Sequence, residues 1–227
     1  MTVEPGHSHS GPVGRSSVDV RTTVVVVLVV LAGACVALVG LRALGIGQAR
    51  PPVVLIGDSI TANLAGTARD ELGGDWALTI DGKPGFVAAD QVPAAQNATR
   101  FPFEQAVVNL GTNDAMTSGQ DLGETIAALE QVVDLFADVP CVHVVTVNES
   151  MMNGTGDAPI RARRINDGLR TIASTRPNVD VVDWAAIVRD VQREQGEPLT
   201  TDTVHPNDRG NAVLAAAYED ALAACSD

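Results

Sequence analysis

The segment VVLIGDSITANL, residues 53–64, begins with β-branched and aliphatic residues and changes character at Gly57-Asp58-Ser59. Short aliphatic runs bounded by glycine are typical of buried strands, and Asp and Ser are common residues at the start of a helix. The segment therefore predicts a strand that turns directly into a helix. Ser59 is then either an ordinary capping residue or a nucleophile held at the carboxyl end of the strand.

Apolar runs alternate with amphipathic segments along the rest of the chain, and 45% of all residues are hydrophobic. The predicted strands are 52–57, 76–80, 106–111, 141–147 and 179–184, and the clearest predicted helices are 122–138, 158–176, 184–196 and 209–224. Such alternation is typical of a parallel sheet covered by helices on both faces. Ligands of these sheets bind at the carboxyl ends of the strands, and Ser59 is expected at this edge.

Three other polar segments are expected at the same edge: DGKPG at 81–85, GTND at 111–114 and DTVHPND at 202–208. A serine hydroxyl needs a base that removes its proton, and the resulting oxyanion needs N–H donors. His205 is the favoured base, because His143 lies within the fourth predicted strand and is most simply a packed residue. Asp202, three residues before His205, is either a turn residue or the carboxylate that orients the imidazole.

Donors for an oxyanion are expected from three of these segments. The Ser59 N–H lies at the start of a helix, where negative charge is favoured. Asn113 offers a side-chain amide, and Gly85 offers an N–H that no Cβ obstructs. Each of these residues has an alternative interpretation as an ordinary turn former.

In combination and in this order, the GDSIT, GTND and DTVHPN segments and the glycine loop at 81–85 resemble the SGNH hydrolases, also called the GDSL esterase/lipase family. The resemblance extends over residues 52–224 and implies a flavodoxin-like three-layer α/β/α domain with a five-stranded parallel sheet. It implies that Ser59 is the nucleophile, His205 the base and Asp202 its orienting carboxylate.

The resemblance further implies an oxyanion hole made by the Ser59 N–H, Gly85 and Asn113, with Gly82 as a rival for the glycine donor. Members of the family hydrolyse carboxylic esters without a metal or organic cofactor. An O-acyltransferase with the same acyl-enzyme is the first alternative. A non-catalytic envelope-binding module is the second, although the presence of Ser59, Asp202 and His205 argues against it.

The substrate is less clearly indicated by the sequence than the reaction. Met151 and Met152, in the segment 146–159, either line an acyl site or pack against the domain. Aromatic residues make up only 3% of the chain, which favours short acyl esters over long glycans as substrates.

The amino-terminal region predicts a membrane attachment. Residues 24–41 form a run of 18 residues without a charged or polar side chain. We divide the chain into a disordered tail (1–22), a transmembrane segment or signal anchor (23–46), a linker (47–51) and the hydrolase domain (52–227). The hydrolase domain is expected outside the cytoplasm. A cleaved signal and lipidation of Cys35 are the alternatives.

Charge and cysteine content limit the partners and the compartment. Residues 51–227 hold 11 basic and 26 acidic residues, a net charge of −15, which disfavours nucleic acid as a partner. Cys141 and Cys225 are either a disulfide, which would suit an exported domain, or two buried thiols.

Overall fold

The computed structural model describes residues 49–225. The predicted tail (1–22) and membrane segment (23–46), together with Cys35, lie outside the described residues. Within the described part of the chain, every helix is too short or too polar to span a membrane.

A five-stranded sheet forms the centre of the domain, and every strand pair in it is parallel. The strands are β1 (Pro52–Gly57), β2 (Ala77–Gly82), β3 (Gln105–Asn109), β4 (Cys141–Val145) and β5 (Val179–Val182). The helices are α1 (Ser59–Leu72), α2 (Val92–Ala98), α3 (Thr112–Met116), α4 (Leu122–Asp134), α5 (Ala158–Ser174), α6 (Trp184–Gln195) and α7 (Asp208–Cys225), with a 3₁₀ turn at Ala88–Gln91. The strand order is β2-β1-β3-β4-β5, the flavodoxin-like order of doubly wound sheets. The predicted parallel α/β sheet is therefore confirmed.

Two hydrophobic cores lie on opposite faces of the sheet, and strand β1 contributes to both. Val53 and Leu55 pack with α1, α6 and α7 on one face, whereas Val54 and Ile56 pack with α2, α4 and α5 on the other. All four side chains are at most 1% exposed. Because alternate residues of a strand point to opposite faces, the aliphatic run buries both sides of β1, which is an interior strand of the sheet.

Several element boundaries differ from the sequence prediction. Strand β3 ends at Asn109 instead of residue 111. Gly111 has a φ of 107° and is the residue before the short helix α3, which the sequence did not predict. Helix α4 ends at Asp134 instead of residue 138. The residues after it form tight turns, in which the Phe136 N–H donates to the Val133 carbonyl at 2.9 Å.

The chain reverses its direction of winding between β1 and β3. From β1 the chain crosses to β2 on one side, and β3 then pairs on the other side of β1. A crevice therefore opens between the carboxyl ends of β1 and β3, which is the usual ligand site of such sheets. Ser59 follows β1 directly, and Asn113 follows β3 after a short turn.

Cys141 and Cys225 form a disulfide, with their Cα atoms 6.3 Å apart. Cys141 is the first residue of β4 and Cys225 is the last residue of α7. The bond therefore lies at the amino-terminal edge of the sheet, opposite Ser59. This resolves the alternatives that the sequence left open for the two cysteines.

The disulfide joins residues 84 positions apart, so it removes much of the conformational freedom of the unfolded chain. We expect the Cys141→Ser/Cys225→Ser variant to lose about 2–4 kcal/mol of unfolding free energy. Urea unfolding of the oxidised wild type and of the variant measures this loss. Dithiothreitol should lower the wild-type midpoint and leave that of the variant unchanged; equal midpoints for the two proteins without reductant would contradict the expectation.

Candidate active site

Ser59 is the first residue of α1, and its position is fixed by the residue before it. Asp58 caps the helix, and its Oδ1 accepts the Ile60 N–H at 2.9 Å. The Ser59 Oγ lies 2.9 Å from His205 Nε2. Ser59 is only 8% exposed, so its hydroxyl is reached from the crevice and little of it faces bulk solvent.

His205 lies in a tight turn, residues 199–207, which we call the histidine turn. The Thr201 N–H donates to the His205 carbonyl and the Asn207 N–H to the Leu199 carbonyl, both at 2.9 Å. These bonds close the turn immediately before α7. The last helix thereby presents His205 to a serine that lies 146 residues earlier in the chain.

Asp202 binds His205 at two places. Its Oδ2 lies 2.7 Å from the ring Nδ1, and its Oδ1 accepts the His205 N–H at 2.7 Å. The hydrogen bond from the His205 side chain is the main reason that the pKa of Asp202 falls to about 2, and the His205 backbone N–H adds to it. Because an ionised carboxylate only accepts hydrogen bonds, the Nδ1 carries the proton and Nε2 is free to accept one from Ser59.

Gly85 and Asn113 form a second group of predicted residues. Residues 83–86 make a turn in which the Phe86 N–H donates to the Lys83 carbonyl at 3.2 Å and Gly85 has a φ of 81°. Proline followed by a residue with positive φ is typical of a type II turn, in which glycine is favoured. Asn113 Nδ2 donates to the Phe86 carbonyl at 2.9 Å, which ties this turn to α3.

The structure distinguishes Gly85 from its rival Gly82. Gly82 ends β2, and a Cβ at that position would collide with the backbone of Ala62 in α1, whose Cα would be 2.8 Å away. Close packing therefore explains the glycine at position 82. A Cβ on Gly85 would meet no atom within 4 Å, so its backbone faces open space. This contrast favours Gly85 as the donor that a substrate can approach.

His143 is not part of this site. It is 1% exposed within β4, and its Nε2 lies 3.0 Å from Gln105 Oε1. The sequence-based interpretation of His143 as a packed residue agrees with this position.

The two methionines of the segment 146–159 differ in burial. Met151 is fully buried, whereas Met152 is 60% exposed in the β4–α5 loop, residues 146–157.

Asp114, within the GTND segment, supports the site in a way that the sequence did not indicate. Its carboxylate is fully buried and accepts the Ala88 N–H at 3.0 Å, the Thr125 hydroxyl at 3.0 Å and the Gln120 amide at 2.8 Å. These bonds hold the segment after the Gly85 turn against α3 and α4. Burial raises the pKa of Asp114, and the N–H of Ala88 is the main opposing influence. An Asp directly after Asn113 was the available signal, but its partners are distant in sequence.

Asp58 is also fully buried, and burial raises the pKa of its carboxyl from 3.8 to about 6. The neighbouring carboxylate of Asp114 acts in the same direction. The N–H of Ile60 and the hydroxyl of Thr112 oppose the shift without cancelling it. The folded protein thus binds a proton at Asp58 more readily than the unfolded chain does.

A raised carboxyl pKa stabilises the fold below the unfolded pKa, and this contribution is lost as the pH rises through the folded pKa. The Asp58→Asn variant keeps a capping side chain but carries no titrating group. Relative to this variant, we expect the wild type to lose about 3 kcal/mol of unfolding free energy between pH 3.5 and pH 7. Urea unfolding across this range measures the difference.

The control is Asp138→Asn, which removes a carboxylate from the exposed surface. Its unfolding free energy should differ from that of the wild type by the same amount at both ends of the pH range. A difference between wild type and Asp58→Asn that does not change with pH would contradict the assignment of a raised pKa to Asp58.

Known protein families and solved structures include proteins similar to this chain. A model of the GDSL-like lipase/acylhydrolase family matches residues 55–213. No curated protein sequence matches the chain. Among solved structures, the lipase/acylhydrolase from Enterococcus faecalis aligns with a TM-score of 0.63 and 19% identity, over 76% of this chain and 95% of that one.

Two further structures share the fold. The acetylxylan esterase Axe2 from Geobacillus stearothermophilus aligns with a TM-score of 0.61 and 18% identity, over 75% of this chain and 93% of its own. The C-terminal catalytic domain of Streptococcus pneumoniae peptidoglycan O-acetyltransferase A aligns with a TM-score of 0.60 and 18% identity, over 80% of this chain and 97% of its own.

Proposed function

The chain belongs to the GDSL-like lipase/acylhydrolase family, and from this premise we propose that it is a serine esterase that hydrolyses carboxylic acyl esters. One observation carries the proposal. Ser59 Oγ, His205 and Asp202 form a continuous chain of hydrogen bonds of 2.9 and 2.7 Å at the ligand-binding edge of the sheet. This arrangement supports Ser59 as the nucleophile, His205 as the general base and Asp202 as the group that orients the imidazole.

In the acylation step, Ser59 Oγ attacks the ester carbonyl carbon while its proton passes to His205 Nε2. Asp202 keeps the Nδ1 proton in place and stabilises the imidazolium that forms. The tetrahedral intermediate then collapses, the bond to the alcohol oxygen breaks, and His205 returns the proton to the departing alcohol. The product of this step is an acyl-Ser59 ester.

Three donors are proposed to stabilise the oxyanion of the intermediate. The Ser59 N–H belongs to the first turn of α1, where N–H groups have no intrahelical partner. The Asn113 amide has two N–H groups, and only one is needed for the Phe86 carbonyl. The Gly85 N–H is the third donor. In deacylation, His205 activates a water that attacks the acyl carbon, and Ser59 is regenerated.

An acyltransferase is the second candidate, in which a sugar hydroxyl replaces water in the deacylation step. The structural similarity to the peptidoglycan O-acetyltransferase domain supports acyl transfer as an alternative reaction. Product analysis with and without a sugar acceptor distinguishes the two reactions. Ester formed on the acceptor identifies a transferase, whereas free acid in both reactions identifies an esterase.

The acyl group is proposed to contact two apolar side chains beside the site. Phe86 is 38% exposed, and its carbonyl accepts the Asn113 amide. Met152 is 60% exposed in the β4–α5 loop, and its N–H donates to the Thr203 hydroxyl of the histidine turn. Exposed apolar side chains of this kind are available to cover an acyl chain. Two such side chains cover only a small apolar area, so we favour short acyl esters as substrates.

We expect the full chain to hydrolyse p-nitrophenyl esters, with the highest kcat/KM among the shorter members of a series from acetate to palmitate. Ser59→Ala should reduce kcat to the background rate, because no other described hydroxyl lies within hydrogen-bond distance of His205 Nε2. Steady-state kinetics and labelling by a serine-directed phosphonate measure both effects. A folded protein that neither turns over any ester nor reacts with the phosphonate would contradict the proposed activity.

The domain is proposed to act outside the cytoplasm, anchored by residues 23–46. The Cys141–Cys225 disulfide supports this location, because disulfides persist in oxidising compartments and are rare in the cytosol.

Protease added to intact cells should therefore digest the hydrolase domain while a cytoplasmic marker protein survives. Cells lysed before treatment give the fully digested control. Protection of the domain in intact cells, together with digestion after lysis, would contradict the extracytoplasmic location and leave the esterase proposal untouched.

A further inference from the structure

The histidine turn contains an unusual backbone conformation next to Asp202. Thr203 has a φ of 70°, and it is the one non-glycine residue with positive φ among residues 49–225. This left-handed region is unfavourable for a residue with a Cβ, and especially for a β-branched one. A conformation of this kind persists only where the surrounding structure holds it.

Two groups of the β4–α5 loop hold Thr203 in this conformation. The Asn148 Nδ2 donates to the Thr203 carbonyl at 3.0 Å, and the Met152 N–H donates to the Thr203 hydroxyl at 3.1 Å. The Asn148 side chain is itself fixed, because it is only 4% exposed and its Oδ1 accepts the Ser150 N–H at 2.9 Å. The buried side-chain amide of Asn148 therefore binds the backbone between Asp202 and His205 and fixes its conformation.

The conformation of Thr203 determines how Asp202 meets His205. With Thr203 in the left-handed region, Asp202 Oδ1 accepts the N–H groups of both Val204 and His205, at 3.0 and 2.7 Å, while Oδ2 faces the imidazole Nδ1. If Thr203 relaxed to a negative φ, the chain direction between Asp202 and His205 would change, and these three bonds would not form together.

We infer that Asn148 is a positioning residue for the reaction, which holds Thr203 in its left-handed conformation and thereby keeps Asp202 and His205 aligned on Ser59. The inference rests on the proposed esterase function for its kinetic readout. It assigns a role to the β4–α5 loop, because this loop sets the geometry of the base.

The test is a double-mutant cycle between positions 148 and 203. Asn148→Ala should lower kcat roughly 10- to 100-fold and change KM less than about threefold, since the substrate contacts remain while the base is misplaced. Asn148→Asp keeps the side-chain shape and the oxygen that accepts the Ser150 N–H, but an ionised carboxylate has no N–H to donate to the Thr203 carbonyl. This variant should lower kcat by a similar factor, and it replaces Asn148→Ala in the test if Asn148→Ala does not fold.

The Thr203→Gly background separates positioning from general stability. Glycine adopts positive φ without a steric penalty, so the kcat of this variant alone is the baseline from which the effect of Asn148→Ala is measured in this background. In this background, Asn148→Ala should lower kcat less than about threefold. An equal loss in both backgrounds, or an Asn148→Ala variant with wild-type kcat, would overturn the inference.

The matched control is Asn178→Ala, because Asn178 Nδ2 also donates to a loop carbonyl, that of Val139 at 2.8 Å, at the edge of the sheet opposite the site. Its melting temperature should fall as that of Asn148→Ala does, but its kcat should stay within about twofold of the wild type, because the bond is remote from the reacting groups. A comparable loss of kcat in Asn178→Ala would mean that lost stability explains both effects.

A proton NMR measurement keeps the inference testable if no ester is turned over. The His205 Nδ1 proton, held by Asp202, should give a downfield signal that disappears in His205→Gln. The signal should be present in the wild type and in Asn178→Ala, lost in Asn148→Ala, and restored by adding Thr203→Gly. Its persistence in Asn148→Ala would overturn the inference, whereas missing turnover and missing phosphonate labelling of the wild type would count against the proposed function.

Discussion

The parallel pairing of β1 with β2 on one side and β3 on the other is the constraint on which the site depends. In this register Gly57 is opposite both Gly82 and Asn109, so the three strands end at one level. The turns that carry Ser59, Gly85 and Asn113 all begin at that level. The positions of these three residues are therefore set by backbone hydrogen bonds of the sheet, and only short turns connect them to the strands.

Two buried acids fix the backbone at places where the site requires it. Asp58 and Asp114 are both fully buried, and burial raises the pKa of each carboxyl. Each nevertheless accepts a backbone N–H that a neutral apolar residue would leave without a partner, at Ile60 and Ala88 respectively. The unfavourable desolvation of two acids is offset by the order they impose on α1 and on the segment after the Gly85 turn.

Local patterns in the sequence were sufficient for the sheet and for the polar turns at its edge. Strand-forming runs identified the strands. The glycine and asparagine segments after β2 and β3, and the histidine segment before α7, identified the residues that the structure brings together. Helix α3 was missed, because five residues are too few to show a helical period. The bond from Asn148 to Thr203 joins residues 55 positions apart, and it leaves no local pattern in the sequence. The left-handed φ of Thr203 was equally hidden, since threonine gives no signal for it.

The Cys141–Cys225 bond closes a covalent ring that contains His205 and Asp202 but not Ser59. A single backbone cut inside the ring, between the two cysteines, yields two segments that the sulfur bridge still joins. A single cut between Ser59 and Cys141 instead separates the serine from its histidine and leaves only noncovalent contacts between them. The position of a backbone cut relative to the Cys141–Cys225 bond thus decides whether Ser59 and His205 remain covalently connected.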